Sequence, residues 1–442
     1  MFDGPFGAYV HVPFCELICP FCPYNKVRAD ESLAQRYFAA LVGEIDAYVS
    51  LRGRGSDGAF TSLYVGGGTP TLYPGELARV IERVPVTGEV AVEVLPTHGT
   101  PTRLQDLADM GVTAVSIGAQ SFHDPVLRRL GRPHDAEAAR AATENAMRRF
   151  DCVDVDLIVD VAWDDDAACA SAFRDDVGTC FDIGVDQVST YPLMRFGYTP
   201  FGSARHDRRR EHQILSEVSA LAADKGYERR SVWTFNKRGA PAYTSITRRR
   251  FLGLGAGSSS FAGQDFLVNH FGIDAYVSAV ERGDIPVARW IELGRWAGSA
   301  YDAFWQAYAG GVDLRHLRDA YGAAAANVLH AGFAPMAALG ILQRVPGGYR
   351  LTHRGFDVYH DLERLVTYQL IEPLWGQMLR EHEQTCPVEV AGARWADPSA
   401  SRRGRMWGLV SGRYEVPIAG PVPTVPHLNA LGEVEVGERA HQ

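Results

Sequence analysis

The chain has 442 residues, of which 46% are hydrophobic and 22% charged, the balance of a globular protein with one large domain or two to three ordinary ones. Its net charge of −9 argues against a nucleic-acid-binding role, because binding a phosphate backbone requires a clustered excess of Lys and Arg. No apolar run approaches the roughly 18 residues that span a bilayer, and the first residues lack the layout of a signal peptide. We therefore expect a cytoplasmic protein that binds neither nucleic acid nor membrane.

Strand and helix signals alternate along most of the chain, with amphipathic helical stretches such as 34–48 and 136–150 between strands. The predicted strands, in chain order, are 8–12, 62–65, 89–95, 114–119, 153–159 and 187–191. This alternation predicts an α/β fold whose six parallel strands curl into a partial (β/α)6 barrel, similar to a TIM barrel. Functional groups should then lie at the carboxyl ends of the strands.

The loop after the first predicted strand, "CELICPFC", contains three of the seven cysteines, Cys15, Cys19 and Cys22. Thiolates at such close spacing wrap one loop around a metal centre, so zinc or an iron–sulfur cluster is indicated. A structural zinc needs a fourth ligand at similar spacing, and the next candidates, His98 and Cys152, lie far along the chain. A [4Fe–4S] cluster with three protein thiolates fits better, because it leaves one iron open to a small ligand.

The second predicted strand runs into "YVGGGTPT", which contains Gly66, Gly67 and Gly68. Three glycines at a strand end let backbone N–H groups approach a ligand closely, as in phosphate or carboxylate sites. Alone, this run is explained about as well by a turn or by packing. Its position beside the cysteine loop favours a ligand-binding role.

Polar side chains accompany the later strands. Glu93 lies in the third strand, Gln120 follows the fourth, Arg132 lies just beyond it, and Asp156 lies in the fifth. We expect these side chains to converge on a binding cleft at the carboxyl edge of the sheet. Taken alone, an acidic residue in an apolar strand, such as Asp156, is equally well a satisfied core carboxylate.

These motifs carry a resemblance to a known family. The segments "YVHVPFCELICPFC", "YVGGGTPT", "VSIGAQSFHDPVLRRLGRPH" and "FLGLGAGSSSF" occur in the family's order. The sequence resembles the radical S-adenosylmethionine (SAM) enzymes, and within them the HemN-like branch related to oxygen-independent coproporphyrinogen III oxidase. The resemblance covers roughly residues 8–375.

The resemblance implies that Cys15, Cys19 and Cys22 hold a [4Fe–4S] cluster whose open iron chelates the amino and carboxylate groups of SAM. One electron from a partner such as flavodoxin or ferredoxin then cleaves SAM, and a 5′-deoxyadenosyl radical abstracts a hydrogen atom. The residues implied to contact this SAM are Gly66, Gly67, Gly68 and Thr69 at the amino group, Glu93 and Arg132 at the amino-acid end, Gln120 and Asp156 at the ribose, and Phe21 near the adenine.

The chain departs from the porphyrin-related members of the branch. Coproporphyrinogen oxidases carry a fourth Cys two positions after the last cluster Cys, where this chain has Tyr24. The His-Asn and Tyr-Trp stretch of the haem chaperones is missing before the glycine-rich segment 253–257, which reads "GLGAG". These losses favour another HemN-like group, the class C radical SAM methyltransferases and cyclopropane-forming enzymes.

In that class two SAM molecules are bound, and the radical takes hydrogen from the methyl group of the second one. The resulting methylene radical adds to an sp2 carbon of an aromatic or unsaturated biosynthetic intermediate, giving a methyl group or a cyclopropane. A companion methyltransferase-like protein can supply a closing step. The second SAM is expected against Tyr9 and Glu93, the two predicted catalytic residues, and against the backbone of Gly255, Ala256 and Gly257.

Other functions stay open on the sequence alone. They are an anaerobic coproporphyrinogen oxidase-like or haem-degrading radical SAM enzyme, a haem chaperone without catalysis, and a structural-zinc protein. The expected domains are a barrel over 1–235, a barrel extension with the second-SAM and substrate segment over 236–300, a helical, winged-helix-like accessory lid over 301–385, and an extension of unknown role over 386–442.

Overall fold

The structure is a computed structural model that describes residues 4–52, 58–159, 161, 166–202, 208–241, 249–383, 427–428 and 434–435. The strands are β1 (Gly7–Val12), β2 (Phe14–Cys15), β3 (Val27–Arg28), β4 (Ser62–Gly67), β5 (Val90–Val94), β6 (Ala114–Gln120), β7 (Cys152–Val159), β8 (Gln187–Pro192), β9 (Tyr227–Arg229), β10 (Thr234–Lys237), β11 (Phe251–Leu254), β12 (Ser259–Phe261), β13 (Asp265–Asn269), β14 (Val287–Glu292), β15 (Gly311–Asp313), β16 (Leu342–Val345), β17 (Gly348–Leu351), β18 (His427–Leu428) and β19 (Val434–Glu435).

The α-helices are α1 (Glu31–Arg52), α2 (Pro74–Arg83), α3 (Pro101–Asp109), α4 (Asp124–Arg129), α5 (Ala136–Met147), α6 (Asp166–Ile183), α7 (Arg208–Asp224), α8 (Ile273–Glu281), α9 (Gly294–Tyr308), α10 (Leu314–Tyr321), α11 (Ala323–Ala338), α12 (His353–Val366) and α13 (Glu372–Glu383). A π-helical turn, Thr367–Ile371, joins α12 to α13.

One mostly parallel sheet forms the centre of the molecule. Its twelve described strands run in the order β14-β13-β12-β11-β1-β4-β5-β6-β7-β8-β10-β9. All six predicted strands are present, as β1, β4, β5, β6, β7 and β8, and each pairs in parallel with its neighbour. The predicted α/β fold is confirmed. The structure adds a strand that the sequence analysis did not assign, β11, which pairs in parallel with β1.

The two faces of the sheet differ in composition, because side chains alternate along each strand. Val10, Val92 and Val155 point to the helix-covered face and are completely buried. Their sequence neighbours Glu93 and Asp156 point to the other face and stay partly exposed. The helix-covered face of the sheet is therefore apolar, and the opposite face carries polar, accessible side chains. We call this opposite face the inner face.

A glycine-rich turn after β11 is anchored to the first helix by Glu44, a carboxylate that is only 2% exposed. Its oxygens accept hydrogen bonds from the Gly255 N–H at 2.7 Å, the Tyr276 hydroxyl at 2.6 Å and the Asn269 amide at 2.8 Å. Burial raises the pKa of Glu44 to about 7, and the three donors act in the opposite direction. This network ties β11 and β13 to α1.

The accessory region contains α10 and α11, then the β16–β17 hairpin, then α12, with β15 completing a three-stranded sheet. This helix–helix–hairpin order matches the predicted winged-helix-like region. It packs on the main sheet through α9, where the Tyr359 hydroxyl donates to the Phe304 carbonyl at 2.6 Å. The accessory region therefore lies beside the edge of the sheet formed by β10 and β9, since the Val232 N–H between these strands donates to the Tyr308 carbonyl of α9.

The chain divides into two compact units, Met1–Gly404 and Arg405–Gln442. In the second unit the structure describes two short antiparallel strands, β18 and β19. The predicted extension over 386–442 lies outside the described residues apart from these strands, and the predicted boundaries at 236 and 301 stay predictions. None of the described helices combines the length and apolar character needed to cross a membrane.

Candidate functional site

The cysteine loop leaves the carboxyl end of β1 and is closed at its base by a short parallel pair, β2 with β3. The Val27 N–H donates to the Pro13 carbonyl and the Ala29 N–H to the Cys15 carbonyl, both at 2.8 Å. Inside the loop, the Cys22 N–H donates to the Cys19 carbonyl at 3.2 Å. This backbone framework brings the three thiols to one end of the sheet.

The three thiols influence one another electrostatically. Burial raises the pKa of Cys15 to about 12, and negative charge on Cys22 and Cys19 adds to that increase. Within the described residues, no three His, Cys, Asp or Glu side chains converge as the ligands of a single metal ion do. Three soft thiolates suit an iron–sulfur cluster, whereas a structural zinc takes a fourth protein ligand.

The glycine run packs directly against the cysteine loop. The Gly68 N–H donates to the Val12 carbonyl at 2.7 Å, and the Thr69 N–H donates to the Phe14 carbonyl at 2.8 Å. A Cβ at Gly68 would lie 2.5 Å from the Phe14 carbonyl oxygen and 2.9 Å from the Cys15 sulfur. Only glycine lets the two segments approach this closely.

Glu93 lies on β5 beside the glycine run. Its carboxylate accepts hydrogen bonds from the Tyr64 hydroxyl at 2.8 Å and from the Gly67 N–H at 3.0 Å. Burial is the main cause that raises the pKa of Glu93 to about 7, and the charge of Asp156 adds to it. The structure therefore places a carboxyl that titrates near neutral pH next to the predicted SAM amino-group strand.

Arg132 reaches the cysteine loop from the segment after α4. Its guanidinium contacts the Cys19 sulfur at 3.5 Å and donates to the Gly118 carbonyl at 2.6 Å. Its Nε is buried without a hydrogen-bond partner among the described residues. Arg132 and Glu93 have separate partners and no direct contact with each other, although the sequence analysis grouped them at the same end of SAM.

Gln120 and Asp156, the predicted ribose contacts, come from the neighbouring strands β6 and β7. Gln120 has φ of 68° and is the only non-glycine residue with positive φ in the described part of the chain. A shift in register between Ile117 and Gln120 accompanies this left-handed backbone. Asp156 accepts from the Ser116 hydroxyl at 2.8 Å, and burial raises its pKa to about 6. Left-handed backbone at a non-glycine residue is costly and concentrates at functional sites.

Tyr9 lies on β1 at the inner face. Its hydroxyl is 2.8 Å from His11 Nδ1, while His11 Nε2 is 2.8 Å from the Asn25 carbonyl oxygen. Since a carbonyl only accepts, Nε2 carries the proton and Tyr9 donates to Nδ1. Burial lowers the pKa of His11 to about 4, so the ring is neutral at physiological pH. This relay fixes the Tyr9 ring against Tyr64, with 6.0 Å between ring centroids.

Phe21 lies at the carboxyl ends of β6 and β7, and Thr69 lies beside Cys15. Phe21 is partly buried against an apolar cluster that includes Val126, Leu130 and Ile158, at the carboxyl ends of β6 and β7. Thr69 is 6% exposed, and its side chain hydrogen-bonds Cys15, which favours the thiolate. An aromatic ring beside the predicted ribose contacts is consistent with an adenine neighbour.

In the predicted second-SAM segment the backbone N–H groups donate within the protein. The Gly255 N–H donates to Glu44, the Ala256 N–H to the Tyr37 hydroxyl, and the Gly257 N–H to the His270 carbonyl. These hydrogen bonds hold the turn in place, and contact of its backbone with a second SAM stays a prediction. The buried Glu44 carboxylate, which holds Gly255, is a residue that no sequence motif indicated.

Tyr24, at the position of the missing fourth thiol, keeps 43% of its surface accessible, yet burial is the largest cause of the raised pKa of its hydroxyl. The charges of Cys22, Glu93 and Asp156 further raise the pKa of Tyr24. The register of the sheet places Tyr9, Glu93, Asp156 and Tyr191 together on its inner face. We call the region in front of these four side chains the inner chamber.

Comparisons with known proteins agree with this geometry. The model of the radical SAM superfamily matches residues 9–166. The haem chaperone HemW of Bacillus subtilis (strain 168) is 23% identical over 376 residues, which cover 79% of this chain and 96% of HemW. The oxygen-independent coproporphyrinogen III oxidase of Cereibacter sphaeroides is 26% identical over 318 residues, which cover 64% of this chain and 68% of the oxidase.

A solved structure shares the fold. The structure of coproporphyrinogen III oxidase (HemN) from Escherichia coli matches with a TM-score of 0.68 at 22% identity, covering 81% of this chain and 89% of the HemN chain. Over residues 9–166 the chain is similar to the radical SAM superfamily, and the two curated relatives named above resemble it over most of their own length. The cofactors that this similarity assigns are a [4Fe–4S] cluster and SAM. Three thiols in one loop and the unpartnered Arg132 Nε fit these groups.

Proposed function

We propose that this chain is a SAM-cleaving radical enzyme with the cluster on Cys15, Cys19 and Cys22. The observation that carries the proposal is the direct packing of the glycine run on the cysteine loop, with Glu93 hydrogen-bonded to that run. When bound, the cluster supplies the electron that cleaves SAM to methionine and a 5′-deoxyadenosyl radical. A low-potential donor such as flavodoxin or ferredoxin would supply that electron.

The residues of the chain would bind and orient SAM. Glu93 provides a carboxylate for the SAM ammonium group, and the planar guanidinium of Arg132 suits the SAM carboxylate. Gln120 and Asp156 offer acceptors to the ribose hydroxyls from adjacent strands. Phe21 would pack near the adenine.

The names of the relatives support a tetrapyrrole substrate. One is a coproporphyrinogen III oxidase and another is a haem chaperone, and the chain matches both across most of their length. On this basis the first candidate acceptor of the radical is a porphyrinogen or haem-type molecule. These names support this substrate better than the substrate class favoured by the sequence motifs.

A second candidate is transfer of a methylene carbon from a second SAM to an sp2 carbon of an aromatic or unsaturated intermediate. It is supported by Tyr24, which places an aromatic ring at the position where coproporphyrinogen oxidases have a thiol. Tyr9 and Glu93 would border the second SAM. The N–H groups of residues 255–257 already donate to groups of the protein, so this turn offers the second SAM no backbone donor from those residues.

Anaerobic incubation of the reconstituted enzyme with SAM, reductant and candidate substrates tests both steps. We expect deoxyadenosine from the wild type and none from Cys15→Ala, Cys19→Ala or Cys22→Ala, whereas Cys180→Ala should keep its iron. Cys180 is a suitable control because it is completely buried in the apolar core. Equal iron loss from all four variants would contradict the ligand assignment.

SAM with a deuterated methyl group separates the two candidates. Methylene transfer predicts deuterium in deoxyadenosine and labelled carbon hydrogens in the product. Hydrogen abstraction from a tetrapyrrole predicts unlabelled deoxyadenosine and oxidation of the porphyrinogen. Absence of deoxyadenosine with every substrate, despite a complete cluster, would contradict the proposed function itself.

A further inference from the structure

A second acidic residue of β7, Asp154, lies behind the predicted ribose contact Asp156. The two residues are two apart on the strand, so both side chains point to the inner face of the sheet. Asp156 stays partly exposed, whereas Asp154 is only 1% exposed. The neutral hydroxyls of Ser116 and Ser189 lie within hydrogen-bond distance of the Asp154 carboxyl group. Since burying a charge among neutral groups is costly, this setting favours the protonated acid.

The hydroxyl of Ser116 lies between the two carboxyl groups. Its Oγ is 2.8 Å from Asp156 Oδ2 and 3.3 Å from Asp154 Oδ2. A serine hydroxyl has one hydrogen to donate and two lone pairs with which to accept. Over the shorter distance that hydrogen goes to Asp156. The contact with Asp154 is then a hydrogen bond only if Asp154 Oδ2 carries a proton and donates it to Ser116.

The groups on the other side of Asp154 supply donors in the same direction. Asn236 Nδ2 donates to Gln187 Oε1 at 2.7 Å, and Gln187 Nε2 donates to Ser189 Oγ at 3.0 Å. The Ser189 hydroxyl in turn donates to Asp154 Oδ1 at 2.9 Å. The sheet register brings Asp154 beside Ser116 of β6 and beside Gln187 of β8. Each donor therefore points toward Asp154, from β10 across β8 to β7.

The charges around the pair agree with this direction. Burial raises the pKa of Asp154 well above its usual range, and the charge of Asp156 adds to that increase. Burial also raises the pKa of Asp156, but only to about 6, because the Ser116 hydrogen bond and the charge of Arg132 favour its ionised form. Tyr191, the next inner-face residue of β8, is a neutral phenol because burial raises its pKa. The single negative charge of the pair therefore lies on Asp156.

We propose that Asp154 is a positioning residue that acts in its protonated form. Its proton completes a one-way series of hydrogen bonds, in which Asp154 donates to Ser116 and Ser116 donates to Asp156 Oδ2. The series fixes the Asp156 carboxylate and leaves its other oxygen, Oδ1, to the ribose hydroxyls of SAM. This role rests on the proposed function, which assigns Asp156 to the ribose.

Substitutions at position 154 separate a protonated acid from a carboxylate. Asn keeps a neutral donor toward Ser116 and an oxygen that accepts from Ser189, whereas Leu keeps the volume and loses both. SAM affinity is measured by equilibrium dialysis with the reconstituted full chain at pH 8. We expect Asp154→Asn to bind SAM within about twofold of the wild type and Asp154→Leu to bind it about tenfold more weakly. Asp186→Asn, just before β8 at the amino end of the sheet, is the matched control.

A smaller change at Ser116 tests the same link without a new side chain in the core. Ser116→Ala removes the hydroxyl that joins the two carboxyl groups, and we expect SAM binding about three- to tenfold weaker than in the wild type. Because both changes break one series of hydrogen bonds, Ser116→Ala combined with Asp154→Leu should weaken binding no more than the stronger single change.

Infrared spectroscopy of the SAM-free chain at pH 8 detects the proton itself, because a protonated carboxyl group has a carbonyl stretch that a carboxylate lacks. We expect the wild type to show a protonated-carboxyl band that is lost in Asp154→Asn and kept in Asp186→Asn.

Three results would overturn the inference. They are a protonated-carboxyl band unchanged in Asp154→Asn, a loss of SAM affinity in Asp154→Asn as large as that in Asp154→Leu, and wild-type affinity in both Asp154→Leu and Ser116→Ala. Failure of the proposed function has a different sign, since the wild type itself would then bind no SAM.

Discussion

At the scale of single residues, the site depends on glycines, at positions where neighbouring atoms leave no room for a Cβ. The glycine run was predicted to bind ligand through close approach of its backbone, and the structure shows that the run also has to approach the cysteine loop and Glu93. A Cβ at Gly66 would lie 2.5 Å from Glu93 Oε1 and 2.8 Å from Tyr64 Cε1. The sequence could predict the need for glycine, but it could not identify the neighbouring atoms.

Gly66→Ala should therefore weaken SAM binding, because the added methyl group displaces the Glu93 carboxylate from its position. We expect at least a tenfold rise in the dissociation constant for SAM, measured by equilibrium dialysis with the reconstituted protein. Gly75→Ala is the matched control, since a Cβ there meets no atom within 4 Å. Equal affinity in Gly66→Ala and Gly75→Ala would contradict this role.

Glu93 predicts a dependence on pH. Its pKa is raised to about 7 in the absence of ligand, so the carboxylate that attracts the SAM ammonium predominates only above that pH. SAM affinity should therefore rise between pH 6 and pH 8, and Glu93→Gln should flatten the profile. For folding, the raised pKa contributes stability that is fully present below the unfolded value and is lost as pH rises through 7. A wild-type profile as flat as that of the variant would count against the assignment.

Other residue-scale features were beyond sequence reasoning. Tyr24 was recognised only as a departure from a family pattern, and its accessible, protein-surrounded position comes from the structure. Glu363 is far from the barrel motifs in sequence, and only the packing of α12 beside Trp233 brings it to the indole N–H, 2.7 Å away. No local pattern distinguishes such a glutamate from one on a solvated helix face.

At the scale of elements, the six parallel strands could be predicted because each has a short apolar run next to a turn signal. β11 was missed because "FLGL" contains a glycine and precedes a glycine-rich turn, so ligand binding explained the segment equally well. β11 forms because of contacts with residues far away in the sequence. It pairs with β1, and Glu44 of α1 holds the turn that follows it. These contacts join parts of the chain that no periodicity connects.

Glu44→Ala should destabilise the protein strongly. The change leaves the Gly255 N–H and the Tyr276 hydroxyl buried without that acceptor, and the Asn269 amide keeps only the Gly255 carbonyl and the Ser258 hydroxyl. We expect a loss of about 3 kcal/mol or more in the free energy of unfolding, measured by urea denaturation of the cluster-free chain. Tyr276→Phe removes one donor, and Glu44 keeps its other hydrogen bonds. The loss in free energy of unfolding should therefore be smaller for Tyr276→Phe than for Glu44→Ala. A loss below that of Tyr276→Phe would show that the network is not stabilising.

At the scale of the whole molecule, the last described helix connects the accessory region to the cysteine loop. The Tyr368 hydroxyl accepts from the Arg195 N–H at 3.1 Å, and Glu372 accepts from the Gly197 N–H. Trp375, one turn further, contacts Tyr24. The π-helical turn Thr367–Ile371 leads directly from α12 into α13, which carries Glu372 and Trp375. The predicted lid role of the accessory region is consistent with this placement.

Removing the Trp375 ring should loosen this helix. In Trp375→Ala we expect faster hydrogen–deuterium exchange across 372–383, because the ring contacts both Tyr24 and Phe196. Trp296→Ala is the control, since Trp296 is 45% exposed on α9. Unchanged exchange in α13, or equal changes in both variants, would show that the ring does not hold the helix.

The proposed function depends on one open iron of the cluster on Cys15, Cys19 and Cys22, where SAM would bind. Electron–nuclear double resonance of the reduced cluster, with SAM labelled with 15N in its amino group and 13C in its carboxylate, measures this most directly. We predict hyperfine coupling from both labels in the wild type. A fully assembled cluster that shows coupling from neither label would contradict binding of SAM to the open iron.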